Sequence, residues 1–196
     1  MSIVEYGMVL VLVLALTTTS RADDVAASAA LRHDAETPSR LLRPGDPAPP
    51  LCVGEWIQGE PVREFEKGKA YLVDFWATWC KGCVDAIPHL DAIDRKYADR
   101  GLVVIGQAVS RKDMAKVAPF VKKMGAKMSY RIALDDFSAS ERGAMSVSWF
   151  DAAGQTAIPV AFLVGRDGRI AWIGNPASLS DVIIRHSRPM PSKASP

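Results

Sequence analysis

Apolar positions along this chain switch between short unbroken runs and helical stripes. Residues 71–76, Tyr-Leu-Val-Asp-Phe-Trp, form a compact apolar run of the kind a strand shows when both its faces are buried. From 80 to 97 the spacing changes. Val84, Ile87, Leu90, Ile93 and Tyr97 recur every three or four residues, which predicts a helix with Pro88 inside it. Residues 102–109 read as a second buried strand and 128–134 as a third. Residues 119–124 read as a helix with Pro119 in its first turn and Gly125 as its stop. A loosely patterned helix over 139–153 ends at Gly154. Residues 160–164 and 169–173 flank Gly165-Arg166-Asp167-Gly168, whose Asp-Gly pair marks a hairpin. Residues 51–57 and 62–65 read as a short leading hairpin, and Leu179, Val182 and Ile183 as one face of a last short helix. Strands alternating with helices predict an α/β layered domain over residues 45–187, with antiparallel strands at one edge.

The ends read differently. Residues 8–16, MVLVLVLAL, are too short for a bilayer-spanning helix, which needs about 20 residues, but suit the apolar region of a secretory signal. Ser20-Arg21-Ala22 supplies small residues for cleavage after Ala22. Export with a signal over 1–22 is therefore expected. The stretch before the apolar run lacks Lys and Arg and carries Glu5, so an uncleaved anchor is the alternative. Residues 23–44 read as a flexible leader and 188–196, with three prolines, as a disordered tail.

Composition narrows the chemistry. The chain has 196 residues, 24 Lys+Arg against 22 Asp+Glu, 48% hydrophobic residues and three cysteines. A core of this size needs no disulfide framework, and three cysteines cannot build one. The near-neutral charge gives no basic face for a nucleic acid. Arg111, Lys112, Lys116, Lys122, Lys123 and Lys127 form a modest basic stretch, read as a solvated helix face.

The cysteines are informative by position. Cys80-Lys81-Gly82-Cys83 follows the buried strand and opens the helix. A thiolate there meets unpaired N–H groups and the positive end of the helix dipole, so its pKa falls below the free value near 8.5. Cys80 is the expected nucleophile, and Cys83, a turn deeper, resolves a mixed disulfide. Lys81 adds positive charge beside the thiolate, and Gly82 keeps the turn tight and the approach open. A zinc half-site or an inert disulfide are the bland readings. Zinc wants about two further ligands. Cys52, His33, His89 and His186 make no second pair, so no metal or other cofactor is called for.

The run from Leu72 through Trp76-Ala77-Thr78-Trp79-Cys80 to Cys83 resembles the active-site strand and turn of the thioredoxin superfamily. Pro88 resembles its helix proline, and Ala157-Ile158-Pro159-Val160 its cis-proline loop. The stretch from Trp149 to Gly174 and the long interval between Cys83 and Pro159 are similar to the exported TlpA/ResA-like branch. The resemblance implies a three-layer thioredoxin-like α/β fold. Its central mixed sheet would carry an N-terminal hairpin and an extra helix–strand insertion. It implies a thiol–disulfide oxidoreductase, monomeric, acting on protein disulfides such as those of apocytochrome c or a copper site, and served by a membrane electron donor. It implies roles as well. Asp74 would be a buried acid assisting proton transfer at Cys83. Trp79 and Ile158 would be docking residues, and Pro159 would lie beside Cys80. Lys81-Gly82 departs from the proline that many relatives carry before the second Cys, and these two positions tune the redox potential. Cys52 is expected to be a small buried apolar residue, with a third redox partner as the alternative.

Two other classes are weighed. A peroxiredoxin-type thiol peroxidase wants P-x-x-x-T-x-x-C, but Thr78 stands one residue too close to Cys80 and no Pro lies in 71–79. A copper chaperone on the same fold would prefer a wider cysteine pair and a nearby His.

Overall fold

The computed structural model describes residues 41–179. The predicted export signal, most of the leader, the last helix around Val182 and Ile183, and the tail lie outside the described residues. Six strands form one mixed sheet in the order β1-β4-β3-β2-β5-β6. They are β1 (Val53–Gln58), β2 (Ala70–Trp76), β3 (Leu102–Ala108), β4 (Arg131–Asp135), β5 (Val160–Val164) and β6 (Ile170–Gly174). The helices are α1 (Lys81–Tyr97) and α2 (Met114–Met124), with a π-helical segment at Ser146–Asp151.

β2 is central. It runs parallel to β3 and antiparallel to β5, and every one of its residues is buried. Its alternation sorts the core into two clusters. Leu72 and Trp76 face one way, into the cluster that α1 and α2 cover with Ile87, Leu90, Val117 and Val121. Tyr71, Val73 and Phe75 face the other way, toward Met145 and Trp149. Trp149 is fully buried, stacks edge-on to Phe162 at 5.4 Å and donates its indole N–H to Pro50 O at 3.2 Å. Each large apolar side chain buried in this way contributes roughly 1.5–3 kcal/mol. Among the described residues no helix is long and apolar enough to cross a membrane.

The predicted strands at 71–76, 102–109, 160–164 and 169–173 form, the one read over 128–134 forms as β4, and the Gly165–Gly168 turn is closed by Gly165 N–H to Arg169 O. α2 and β4 supply the helix and strand expected between the cysteine-bearing helix and Pro159. Three expectations change. The leading hairpin does not form. β1 pairs antiparallel with β4 instead, and residues 62–65 are no strand. Gly59 takes φ +79° and turns the chain away at the end of β1, and Pro61 has no N–H for a ladder. Phe65 drops onto the core, 4.9 Å from Tyr71 and 5.8 Å from Trp149. Pro119 is not in the first turn of its helix but mid-way along α2, which begins five residues earlier. The buried pair Val117 and Val121, with Met114 and Met124 packed beside them, sets a stripe that outweighs the one hydrogen bond Pro119 forfeits. The helix read over 139–153 starts later. Gly143 takes φ +87°, and the Asp135 carboxylate caps the segment by accepting from Met145 N–H, Ser146 N–H and Ser146 Oγ. At the leader's end, Leu42 N–H donates to Ala152 O, so this residue already belongs to the folded unit.

Candidate active site

The C-terminal end of β2 delivers the chain into a tight turn. Cys80 N–H donates to Ala77 O at 3.1 Å, and Cys80 then serves as the N-cap of α1, with extended backbone (φ −77°, ψ 102°). Its Sγ accepts the Cys83 N–H at 3.2 Å, one of the donors that a helix start leaves unpaired. Cys80 and Cys83 are joined as a disulfide with Cα atoms 5.2 Å apart. Cys80 is 7% exposed and Cys83 1%, so the first sulfur is the one nearer solvent. The same Cys83 N–H that donates to the disulfide sulfur stabilises a Cys80 thiolate when the bond is reduced.

The other predicted residues take these positions. The Ile158–Pro159 peptide is cis, and Pro159 borders the cysteine turn. A Cβ on Gly82 would lie 3.4 Å from Pro159 Cδ, so the two segments meet at Gly82 with little room for a side chain. Trp79 is 66% exposed, and its indole N–H donates to Ser110 Oγ at 3.3 Å. Ile158 is half-buried and touches both core clusters. Lys81 pairs with Asp85 one helical turn on, Nζ to Oδ2 2.6 Å, and both are exposed, so the carboxylate offsets the ammonium's field at the sulfur.

Asp74 lies on the face of β2 that carries Leu72 and Trp76, the face against which Cys80 and Cys83 pack. It is 2% exposed, and its Oδ1 has no hydrogen-bond partner. Burial, with nothing to offset it, pushes its pKa up to about 7. Nearby, Tyr130 has a buried, unpartnered hydroxyl held well above the ordinary tyrosine range, first by burial and then by the charge on Asp74. Gly106 stands opposite Asp74 in the β2–β3 register and makes room for these groups. A Cβ there would come within 2.8 Å of Ile132, 3.0 Å of Tyr130 and 3.2 Å of Trp76 Nε1.

Cys52 packs against the second cluster, half-buried, with its N–H directed to Met145 Sδ at 3.2 Å. Cys80 and Cys83 belong to the first cluster, so the sheet separates Cys52 from the pair. That is the packing residue the sequence suggests.

One contact at the site escaped the sequence. Asp113, at the start of α2, is 2% exposed and accepts from both Thr78 N–H and Thr78 Oγ, each at 2.7 Å. It stands inside the basic stretch read as a solvated face. The available signal was a lone acid at the end of a predicted strand's loop, just ahead of an apolar helical stripe.

Fold and site together define a class, the thioredoxin-fold proteins with a vicinal cysteine pair at the start of the first sheet-covering helix. Within that class the family is shown by sequence. The Redoxin family model matches residues 58–183, and the chain belongs to that family. It is 32% identical over 148 residues to Protein FixW of Rhizobium leguminosarum, covering 72% of this chain and 65% of FixW. It is 28% identical over 136 residues to the thiol-disulfide oxidoreductase ResA of Bacillus thuringiensis, covering 68% and 70% of the two chains. The chain thus spans about two thirds of the length of these relatives. Among solved structures, a thiol-disulfide isomerase from Corynebacterium glutamicum shares the fold, with a TM-score of 0.58 at 22% identity, over 72% of this chain and 92% of that one.

Proposed function

We propose that this protein is an exported thiol–disulfide oxidoreductase that reduces disulfides in other proteins. The observation that carries the reading is the Cys80–Cys83 pair, with Cys80 capping α1 at the more exposed end and Cys83 buried on the face that holds Asp74. In the reduced form the Cys80 thiolate attacks one sulfur of a substrate disulfide. A mixed disulfide forms and the other substrate sulfur leaves as a thiolate. Asp74, poised near neutrality, accepts the Cys83 proton. The Cys83 thiolate then attacks Cys80 Sγ, releases the second substrate thiol and leaves the Cys80–Cys83 disulfide. Two electrons have passed to the substrate, and a donor dithiol must return them.

Trp79 and Ile158 form the docking surface around the nucleophile, and Ile158 offers its backbone to an extended substrate segment. Pro159 sets the wall beside Cys80. Lys81 and Gly82 tune the potential of the couple. The similarity to ResA supports this activity. Substrates in cytochrome c maturation or at copper-site thiols, a membrane protein as electron donor, a monomeric state and export through residues 1–22 complete the reading.

The test is Cys83→Ser. It should trap substrate on Cys80 as a mixed disulfide recoverable from envelope extracts and released by dithiothreitol. Absence of any adduct, or adducts that persist when Cys80 is also replaced, would defeat the proposal.

A further inference from the structure

We propose that Asp113 is a positioning residue for the cysteine pair, acting through Thr78 to hold the turn that presents Cys80. The inference rests on the reading that the pair cycles between dithiol and disulfide. Thr78 sits inside the turn closed by Cys80 N–H and Ala77 O. Asp113 grips it there at two points, the backbone N–H on Oδ2 and the hydroxyl on Oδ1. A bidentate grip by a buried carboxylate fixes both the position and the rotation of the residue it holds. Two flanking bonds run between the same two segments. Val109 N–H donates to Trp76 O at 3.1 Å, and Trp79 Nε1–H to Ser110 Oγ at 3.3 Å. The carboxylate itself is held, because Asp113 N–H closes a turn onto Ser110 O at 2.8 Å and Lys116 Nζ stands 3.9 Å from Oδ1. The segment from β3 to α2 is thus a brace along the whole approach to Cys80. Asp113 is the acid of that segment, buried and turned onto Thr78, whereas its neighbours Arg111 and Lys112 are exposed.

How readily two thiols close into a disulfide depends on how nearly their backbone already holds them at bonding geometry. A turn released from the brace spreads Cys80 over more positions, lowers the effective concentration of one sulfur at the other, and makes the disulfide easier to reduce. Asp113→Ala should lower the equilibrium constant for closing Cys80–Cys83 about tenfold, which is about 30 mV less negative for this two-electron couple. Asp113→Asn is the decisive partner. Its carbonyl can accept the Thr78 N–H and its amide can donate to the hydroxyl, so it keeps the grip and removes the charge. It should stay within about twofold of wild type. Thr78→Val deletes the hydroxyl alone and should give about a threefold loss. Thr78→Val combined with Asp113→Ala should lose no more than Asp113→Ala, because both break the same contact.

The experiment is a glutathione redox titration of the four variants and wild type, read by thiol alkylation, with urea unfolding in parallel. The proposal is overturned if Asp113→Ala keeps the wild-type potential and loses only stability. It is overturned equally if Asp113→Asn shifts as far as Asp113→Ala, since charge and not geometry would then be at work. Should Asp113→Ala fail to fold, Thr78→Val and Asp113→Asn decide: a shift in the first and none in the second supports the brace, and any other pattern overturns it. The titration involves no protein substrate. A wild-type protein that titrates normally but reduces no protein disulfide would therefore sink the proposed activity and leave this test standing.

Discussion

Replacing Asp74 with Asn should flatten the dependence of stability on pH, with a sign opposite to that of most carboxylates. A salt-bridged aspartate has a depressed pKa and stabilises the fold above its unfolded value. Asp74 is the reverse case. Its ordinary pKa is 3.8 and burial raises it to about 7 in the folded protein. Between about pH 4 and pH 7 the folded chain holds a proton that the unfolded chain has released. Folding stability therefore falls as pH rises through that window, and levels off above it. Each pKa unit is worth about 1.4 kcal/mol, so the shift from 3.8 to about 7 caps the loss at about 4 kcal/mol. Water entering around the charged form would bring the realised figure below that cap. Asp74→Asn is neutral at every pH and of nearly the same volume. The difference in stability between variant and wild type should climb by a few kcal/mol, in favour of Asn, from pH 4 to pH 8. Groups common to both proteins cancel in that difference. The assay is urea unfolding of the oxidised protein, in which the disulfide keeps Cys80 and Cys83 from titrating. A difference that stays flat between pH 4 and pH 8 would refute the assignment of a raised native pKa to Asp74.

Three further outcomes are expected. Trp149→Ala should cost about 3–5 kcal/mol in denaturant unfolding, because it empties a fully buried site and orphans the Pro50 carbonyl. Gly106→Ala should cost about 1–3 kcal/mol, since its Cβ meets Ile132, Tyr130 and Trp76 at 3.2 Å or less, and thermal unfolding would show it. Cys52→Ala should leave the reduction potential of the Cys80–Cys83 couple at its wild-type value in a redox titration. A shift of tens of millivolts would contradict the separation of Cys52 from the pair by the sheet.

Much of this molecule is legible in its amino-acid order. Tyr71 to Trp76, buried without a gap, announced the central strand, and the three-and-four spacing from Val84 to Tyr97 announced α1. Both signals are local, since a strand's burial and a helix's stripe repeat within a few residues. The Cys80–Cys83 spacing at the strand-to-helix junction is local for the same reason. The failures are equally specific. Residues 51–57 and 62–65 look like partners because they are neighbours, yet β1 pairs with β4, more than seventy residues away at Gln58 and Ile132. Pro119 looks like a helix start because proline is favoured there, yet the stripe from Met114 to Met124 carries the helix past it. Pairing partners and packing energies of this kind are set by what the rest of the chain presents.

The sequence by itself determined the central strand, the helix that follows it and the residue pair that carries the chemistry, because each is written in short-range periodicity and spacing. Tertiary structure alone decided the surroundings of that pair. Asp74 acquired its raised pKa from burial within the folded core, a property of neighbours and not of aspartate. Asp113 reached Thr78 across 35 residues of sequence, and Pro159 reached Gly82 across a longer gap. The pair's identity is covalent and local. Its tuning depends on desolvation and on contacts that exist only once distant segments have closed around it.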